Sequence, residues 1–272
     1  MKLTRQQFLR ALPVSALLLA GCSSTETAPA NTEKLVFDHA YPLDYAQQFT
    51  ADCYEGGYTM LTIPEDGAKF LVVPEDAAEV DELPEGVTVL RQPVENIYLV
   101  STSVMDLFIA LDGLDSISLS GTRADGWYLE EARAAMEAGS IAYAGKYSAP
   151  DYEKILAANC GLAIENTMIY HTPEVKEQLE QFDIPVIVER SSYESSPLAR
   201  MEWLKFWGIL LGREEQAERV FARQVERVSP LLEQPSTGKS CAFFSITGNN
   251  LANVRKGGDY VAQMIEMAGG DY

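Results

Sequence analysis

Apolar residues recur every three to four positions between Arg213 and Leu232: Ala217, Val220, Phe221, Val225, Val228, Leu231 and Leu232. That spacing puts one apolar stripe along an α-helix, with Glu and Arg on the other side. Gly212 precedes the stretch, and Pro235 and Gly238 follow it, so both ends carry helix-breaking residues. At 1.5 Å per residue the helix would reach about 30 Å, the width of a small domain. Strands and helices alternate before it, and a new strand begins after it. The stretch is therefore expected to link two lobes; the ordinary alternative is a packed surface helix.

Upstream, Lys34–His39, Tyr58–Ile63, Phe70–Val73 and Val87–Leu90 are short apolar or alternating runs broken by Gly, Pro and acids. They predict an antiparallel start, with Asp66-Gly67 as a hairpin turn. From Pro93 the pattern becomes strand then helix. Strands are expected at Ile97–Val100, Ser116–Leu119, Leu162–Ile164 and Pro185–Val188. Helices are expected at Val104–Leu111, Trp127–Ala138, Asp151–Ala158 and Pro173–Phe182, the last with Thr172 as N-cap. Such alternation implies a mostly parallel sheet covered on both faces. Ligands meet sheets of this kind at the carboxyl ends of the strands. Those loops are Ser101–Ser103, Ser120–Arg123, Asn166–His171 and Glu189–Pro197.

Leu198–Leu211 is apolar nearly all round, which predicts burial on more than one side. Ser240–Ile246 then reads as a strand and Tyr260–Ala268 as a helix. One strand and one helix do not enclose a core. The expected fold is thus α/β with two lobes joined by one long helix, the second lobe only begun in this chain. The expected divisions are a signal peptide over 1–21, a tether over 22–33, a first lobe over 34–212, the joining helix over 213–238 and the start of the second lobe over 239–272.

The N-terminus adds an address. Lys2, Arg5 and Arg10 precede the ten-residue apolar run Ala11–Ala20, too short to span a membrane. Leu19-Ala20-Gly21-Cys22 then resembles a bacterial lipoprotein signal, in which Cys22 becomes the lipidated first residue of an extracytoplasmic, membrane-anchored protein. A plain secretory signal with a coincidental Cys is the alternative. Gln6 stands where a twin-arginine signal has its second Arg, so the general secretion route fits better. Ser23–Thr32 is small and polar, with the composition of a flexible tether. Cys53, Cys160 and Cys241 have no metal-site spacing. Cys160 and Cys241 read as small core residues, and a disulfide between any two of the three is left open.

Without residues 1–21 the chain has 18 Lys and Arg against 40 Asp and Glu, a formal charge of −22. That surface is a poor partner for nucleic acid but can dock onto a partner bearing arginines. No Walker loop, HExxH, GxSxG or CxxC pair occurs, and His39 and His171 are the only histidines. This argues against an enzyme and for neither a cofactor nor a resident metal.

The ordered runs Ile97–Ser103, Leu107–Leu114, Gly145–Ile155 and Cys160–Asn166 resemble the periplasmic-binding domain of ABC importers for iron complexes and vitamin B12. Leu111-Asp112-Gly113-Leu114-Asp115 matches that family's helix close, and Ala149-Pro150-Asp151-Tyr152-Glu153 its helix start. Gly161-Leu162-Ala163-Ile164 stands at a strand that usually opens with Pro-Asp, which is lacking here, and Pro185–Ile187 stands at "I-P-V". Ser240–Gly248 and Tyr260–Tyr272, with Met267-Ala268-Gly269-Gly270, resemble the opening of that family's second lobe. The resemblance covers roughly residues 93–272.

It implies a lipoprotein that captures an iron complex (siderophore or haem) or a corrinoid between two lobes and delivers it to a permease and its ATPase. Glu153 matches the glutamate that docks on a permease arginine, although a carboxylate at a helix N-terminus is also favoured by the dipole alone. Candidate ligand contacts at the loops are Ser101, Thr102, Lys146, Tyr147, Asn166, Thr167, Arg190, Tyr193, Glu194 and Arg200, with Arg255 facing them from the second lobe. Arg can fork onto carboxylate or phosphate, and Tyr can stack on a ring or ligate ferric iron. Each could equally be an ordinary loop residue, as could His171. An enzyme or ligand sensor on the same scaffold is the main alternative function, and an adhesion module a third.

Overall fold

The computed structural model describes residues 32–232 and 234–272. The signal segment, Cys22 and the tether as far as residue 31 lie outside the described residues. Thr32–Glu33 form a two-residue parallel bridge with Glu79–Val80.

The first sheet has five strands in chain order: β1 (Phe37–Ala40), β2 (Thr50–Tyr54), β3 (Thr59–Ile63), β4 (Ala68–Val73) and β5 (Val87–Arg91). β1 to β4 are antiparallel, but β5 joins β4 in parallel, contrary to a wholly antiparallel start. The acid-rich connection after β4 is long enough to carry the chain back before β5 begins. Asp66-Gly67 turns the β3–β4 hairpin: Asp66 Oδ1 accepts from the Ala68 N–H at 3.1 Å, and Gly67 has φ +70°. β2 escapes sequence reading because TADCY is not a continuous apolar run.

The second sheet is built from β6 (Ile97–Leu99), α1 (Thr102–Ala110), β7 (Ile117–Ser120), α2 (Glu130–Glu137), β8 (Ala142–Tyr143), α3 (Tyr152–Ala157), β9 (Leu162–Asn166), α4 (Pro173–Gln181) and β10 (Val186–Glu189). Its strands are all parallel in the order β8-β7-β6-β9-β10. The chain winds outward from β6 to β8, then returns to lay β9 on the other flank of β6. The expected parallel sheet is thus present, with its direction of winding reversing between β6 and β9. Thr172 sits at the N-cap of α4 as expected, but its hydroxyl makes no capping bond.

α5 (Pro197–Leu211) follows, capped by Ser196, whose Oγ accepts from the Ala199 N–H at 3.1 Å. Gly212 ends it in the left-handed region at φ +65°, which glycine reaches without a Cβ clash. α5 is buried nearly all round, as its sequence predicts. Trp203, Phe206 and Trp207 are wholly buried in a core shared with both sheets and α1. Phe49, just ahead of β2, lies edge-on to Trp203 and Phe206 with ring centroids 5.0 and 5.3 Å away. A second core lies between the other face of the parallel sheet and α3 and α4.

α6 (Glu214–Leu232) packs back on α5. A side chain at Gly208 would put its Cβ 2.5 Å from that of Ala217, so the glycine sets how closely the helices approach. Ala217 and Phe221 are buried there, whereas Leu231 and Leu232 at the far end are exposed. Beyond α6, β11 (Phe244–Ile246) and β12 (Ala252–Val254) form a hairpin, followed by α7 (Tyr260–Met267), which packs on α5. Lys239–Ser240 pairs with Gly270–Asp271. The strand expected over Ser240–Ile246 is split into Lys239–Ser240 and Phe244–Ile246, and Cys241 between them is exposed instead of in the core. Cys53, Cys160 and Cys241 are all free thiols. Among the described residues no helix is long and apolar enough to cross a membrane.

Two groups of buried charge are notable. Glu202 and Lys205, one helical turn apart on α5, are both buried and lie 3.1 Å apart. Glu202 accepts the backbone N–H groups of Asp44, Tyr45 and Ala46 at 2.7–2.9 Å. Lys205 also reaches the Pro42 carbonyl at 3.0 Å and Glu218 of α6 at 3.3 Å. This network fastens the irregular segment before β2 to α5 and α6. Replacing Lys205 with Met would leave a buried carboxylate without its cation, and such losses typically cost about 3–5 kcal/mol. Urea unfolding of Lys205→Met should therefore show a much lower midpoint; an unchanged midpoint would contradict this account.

Glu165 of β9 is wholly buried in the second core, and neither carboxyl oxygen has a hydrogen-bond partner. Burial pushes its carboxyl up to about 8 from the ordinary 4.5. Between those values the folded chain holds a proton that the unfolded chain has released. Stability due to this group therefore falls as pH rises, by up to about 1.4 kcal/mol per pH unit. Glu165→Gln should be more stable than the parent at pH 8 and similar at pH 4.5, measured by thermal unfolding. A gap between the two proteins that does not change with pH would refute the assignment.

Candidate ligand cleft

The winding reversal between β6 and β9 parts the loops at the carboxyl edge of the sheet, where open α/β folds take ligands. Glu189, at the end of β10, holds this edge together. Its buried carboxylate accepts the hydroxyls of Ser101 and Ser103 at 2.7 and 2.8 Å and the Ser191 N–H at 2.8 Å. Ser101 is thus buried and engaged, and Thr102 is exposed at the start of α1. Arg190 is 7% exposed; its Nε donates to Gln48 Oε1 at 3.2 Å, and its guanidinium lies 4.5 Å from the centre of the Tyr193 ring.

Beyond this edge lies a cleft of about 940 Å³ between the loops after β9 and β10 and the chain beyond α6. One wall carries Thr167, Tyr193, Glu194 and Arg200; the opposite wall carries Asn253, Arg255, Lys256 and Tyr260. Five of the residues singled out from sequence, Thr167, Tyr193, Glu194, Arg200 and Arg255, therefore meet in one place. Thr167 Oγ1 lies 3.3 Å from the Tyr193 hydroxyl. The Arg200 guanidinium crosses the cleft to sit 4.1 Å from the centre of the Tyr260 ring. Arg255 pairs with Asp259 at 3.2 Å.

Glu194 turns its carboxylate away from ligand work. It accepts the N–H groups of Gln47 and Gln48 and the Trp203 indole N–H at 2.9–3.1 Å. Ser101, Thr102, Lys146, Tyr147, Asn166, Arg190 and His171 lie outside the cleft lining. Asn166 accepts from the Met168 N–H at 2.9 Å, and Tyr147 packs at the edge of the second core. Glu153 is exposed in the first turn of α3, which Asp151 caps by accepting the Lys154 N–H. Because α3 follows β8, that turn starts at the same carboxyl edge as the cleft.

Sequence reading missed Asn253, Lys256 and Tyr260. The available signal was Arg255-Lys256, two adjacent cations in a strongly acidic chain; the β12 strand that presents them is too short to register as a periodic pattern. A second crevice, about 710 Å³, lies between the β3–β4 turn and α4. There Tyr170 donates to Asp66 at 2.9 Å, and burial, then that bond, push its phenol up to about 12. The lining of this crevice runs from Tyr170 to residues 183–186 at the amino end of β10 and holds no predicted contact, so the larger cleft is the candidate. Among the described residues no group of three or more His, Cys, Asp or Glu is placed to hold a metal ion.

No family model matches the sequence. Over 190 residues the chain is 24% identical to an uncharacterized lipoprotein of Methanocaldococcus jannaschii, a match covering 66% of this chain and 45% of that protein. The fold is similar to that of the periplasmic heme-binding protein HutB of Vibrio cholerae, with a TM-score of 0.51, 18% identity and coverage of 65% of this chain and 64% of that one. A possible iron-binding (periplasmic solute-binding) protein of Staphylococcus epidermidis gives 0.53 at 12% identity, covering 64% and 65%. The iron uptake ABC transporter substrate-binding protein PiuA of Streptococcus pneumoniae gives 0.52 at 13% identity, covering 65% and 61%. The chain spans less than two thirds of the length of each of these proteins. The likeness is one of fold: this chain shares the α/β architecture of periplasmic solute-binding proteins.

Proposed function

We propose that this chain is the substrate-binding component of an ABC importer, taking an iron complex (siderophore or haem) or a corrinoid into the cleft and passing it to a permease and its ATPase. The observation that carries this reading is the cleft itself. It opens at the carboxyl edge of a doubly wound sheet, faces the chain beyond α6, and sits on a fold shared with haem- and iron-binding periplasmic proteins. In this reading residues 34–212 and 239–272 belong to separate lobes, and the helical connection over 213–238 permits only a small closure. Capture is non-covalent. Acid–base catalysis by a carboxylate would need one free to act on a substrate, and the carboxylates at the cleft are held by backbone N–H groups or by Arg255.

Cys22 is the proposed lipid attachment point, which fits the likeness to a lipoprotein. Glu153 is the proposed permease contact, supported by its exposure in the first turn of α3.

Three measurements test this. Ferric siderophores, haem and corrinoids should be screened by thermal shift, and one class should raise the melting temperature; silence across the panel would overturn the reading. Glu153→Ala should lower uptake in cells while leaving soluble binding unchanged, whereas a loss of binding would place that residue in the cleft or the fold. Cys22→Ser should move the protein from the membrane to the soluble extracytoplasmic fraction, and continued membrane retention would remove the lipid anchor from the account.

A further inference from the structure

We infer that residues 145–157, the turn after β8 together with α3, form a proton-controlled flap that closes over Glu165 while its carboxyl is protonated and lifts when that carboxyl ionises. The flap does not depend on the transport reading; one consequence of it does.

Glu165 is the next-to-last residue of β9, at the carboxyl edge of the parallel sheet. Side chains two apart on a strand share a face, so Glu165 points with Ala163 into the second core, beneath α3 and α4. It is fully buried, and neither carboxyl oxygen has a partner. The titratable groups around it offer no counter-charge. Tyr98 of β6 and Tyr152 of α3 lie against it, and burial, then neighbouring acids including Glu165, push both phenols up. Tyr143 and Cys160 flank Tyr98, and Glu174 of α4 flanks Tyr152. Val186 and Val188 of β10 complete that side of the core and are apolar. The cations of these surroundings are engaged elsewhere. Arg123 lies on the Tyr143 ring, 4.1 Å from its centre; Lys154 pairs with Asp151 at 3.0 Å, and Lys176 with Glu180. Protonated, the carboxyl is a neutral polar group in the core. Ionised, it is a bare charge there, which the fold relieves by admitting water.

α3 is the weakest cover over that charge. It has six residues, too few to hold a helix without packing, and Ile155 is its one buried side chain. The turn before it is tight: Gly145, at φ +90°, lets Gly145–Lys146 pair back on Ala149–Pro150, and a Cβ there would collide with the Ala149 carbonyl. The Tyr98 hydroxyl fastens this turn by donating to the Gly145 carbonyl at 2.9 Å. The side chain that ties the flap down is thus one that lies against Glu165. Opening a segment with so few buried contacts costs less than unfolding the domain.

The closed flap keeps the proton up to about 8, whereas a solvated carboxyl releases it near 4.5. The open fraction therefore grows about tenfold per pH unit between those values and levels off above them. Glu153 rides on the flap, so on the transport reading permease docking weakens as pH rises through the same interval.

The test is amide hydrogen exchange on the full chain. It needs neither ligand nor permease, so its failure leaves the transport reading untouched. The Ile155 and Ala158 amides bond to the Asp151 and Lys154 carbonyls inside the flap and its end. Their protection factors should fall about tenfold per pH unit from about pH 6 to about pH 8. About 1 M urea should leave them unchanged, the mark of a local opening, while amides of α5 respond to it. In Glu165→Gln the pH slope should vanish. Tyr98→Phe keeps the ring in the core and should lower both protection factors about fivefold at every pH, with the slope retained. The parent profile and Tyr98→Phe keep the test decisive if Glu165→Gln does not fold. A flat profile in the parent, the same slope in Glu165→Gln, unchanged protection in Tyr98→Phe, or a urea response equal to that of α5 would overturn the flap.

Discussion

The burial of α5 on all sides is the constraint on which the rest of the structure depends. A helix with solvent on one face can place its charges there. α5 has no such face, so Glu202 and Lys205 are carried inside and must be matched there. The match comes from an otherwise irregular segment, residues 42–46, whose N–H groups and a carbonyl close the network. Glu194 does the same for Gln47 and Gln48 from the loop that leads into the helix. A segment with no sheet or helix partners of its own thereby acquires fixed ones. The aromatic side of α5 then keys the mixed sheet to the parallel sheet through Phe49, Trp203 and Phe206.

That rigidity reaches the cleft directly. Arg200 stands in the first turn of α5, one helical turn before Trp203, so its backbone cannot move without disturbing the core. Tyr260 stands at the first position of α7, which packs on the same helix. The cation and the ring that orients it are therefore both referenced to α5. Glu189 serves the neighbouring rim in a similar way, tying the serines after β6 to the loop after β10. Polar atoms near the carboxyl edge are mostly spent on holding loops. Glu165 is the exception, a carboxyl in the second core with nothing to bond.

Much of the fold was legible in residue order. Ile97, Leu99, Leu162, Ile164 and Ile187 form short runs too apolar to face water, and the amphipathic or capped stretches between them mark the helices. The near-uniform apolarity of Leu198–Leu211 correctly indicated burial on several sides. β2, β8 and β12 were not legible, because strands of two to five residues carry no periodicity that survives their polar members. The parallel pairing of β5 was not legible either, since a strand's partner and direction depend on the path of its connection.

The candidate site divides along the same line. Sequence alone marked the carboxyl-end loops, and it marked Thr167, Tyr193, Arg200 and Arg255 as chemically apt residues within them. Only the tertiary structure decided which were free to act. Glu194 looked as suited to a ligand as Arg200, yet one is saturated by backbone N–H groups some 150 positions away in the chain and the other is held open against Tyr260. Local pattern determines which elements form, because helix and strand periodicity are properties of neighbouring residues. Whether a charge is spent on the fold or left for a ligand depends on contacts between residues far apart in the chain, and those exist only once the chain has closed around α5.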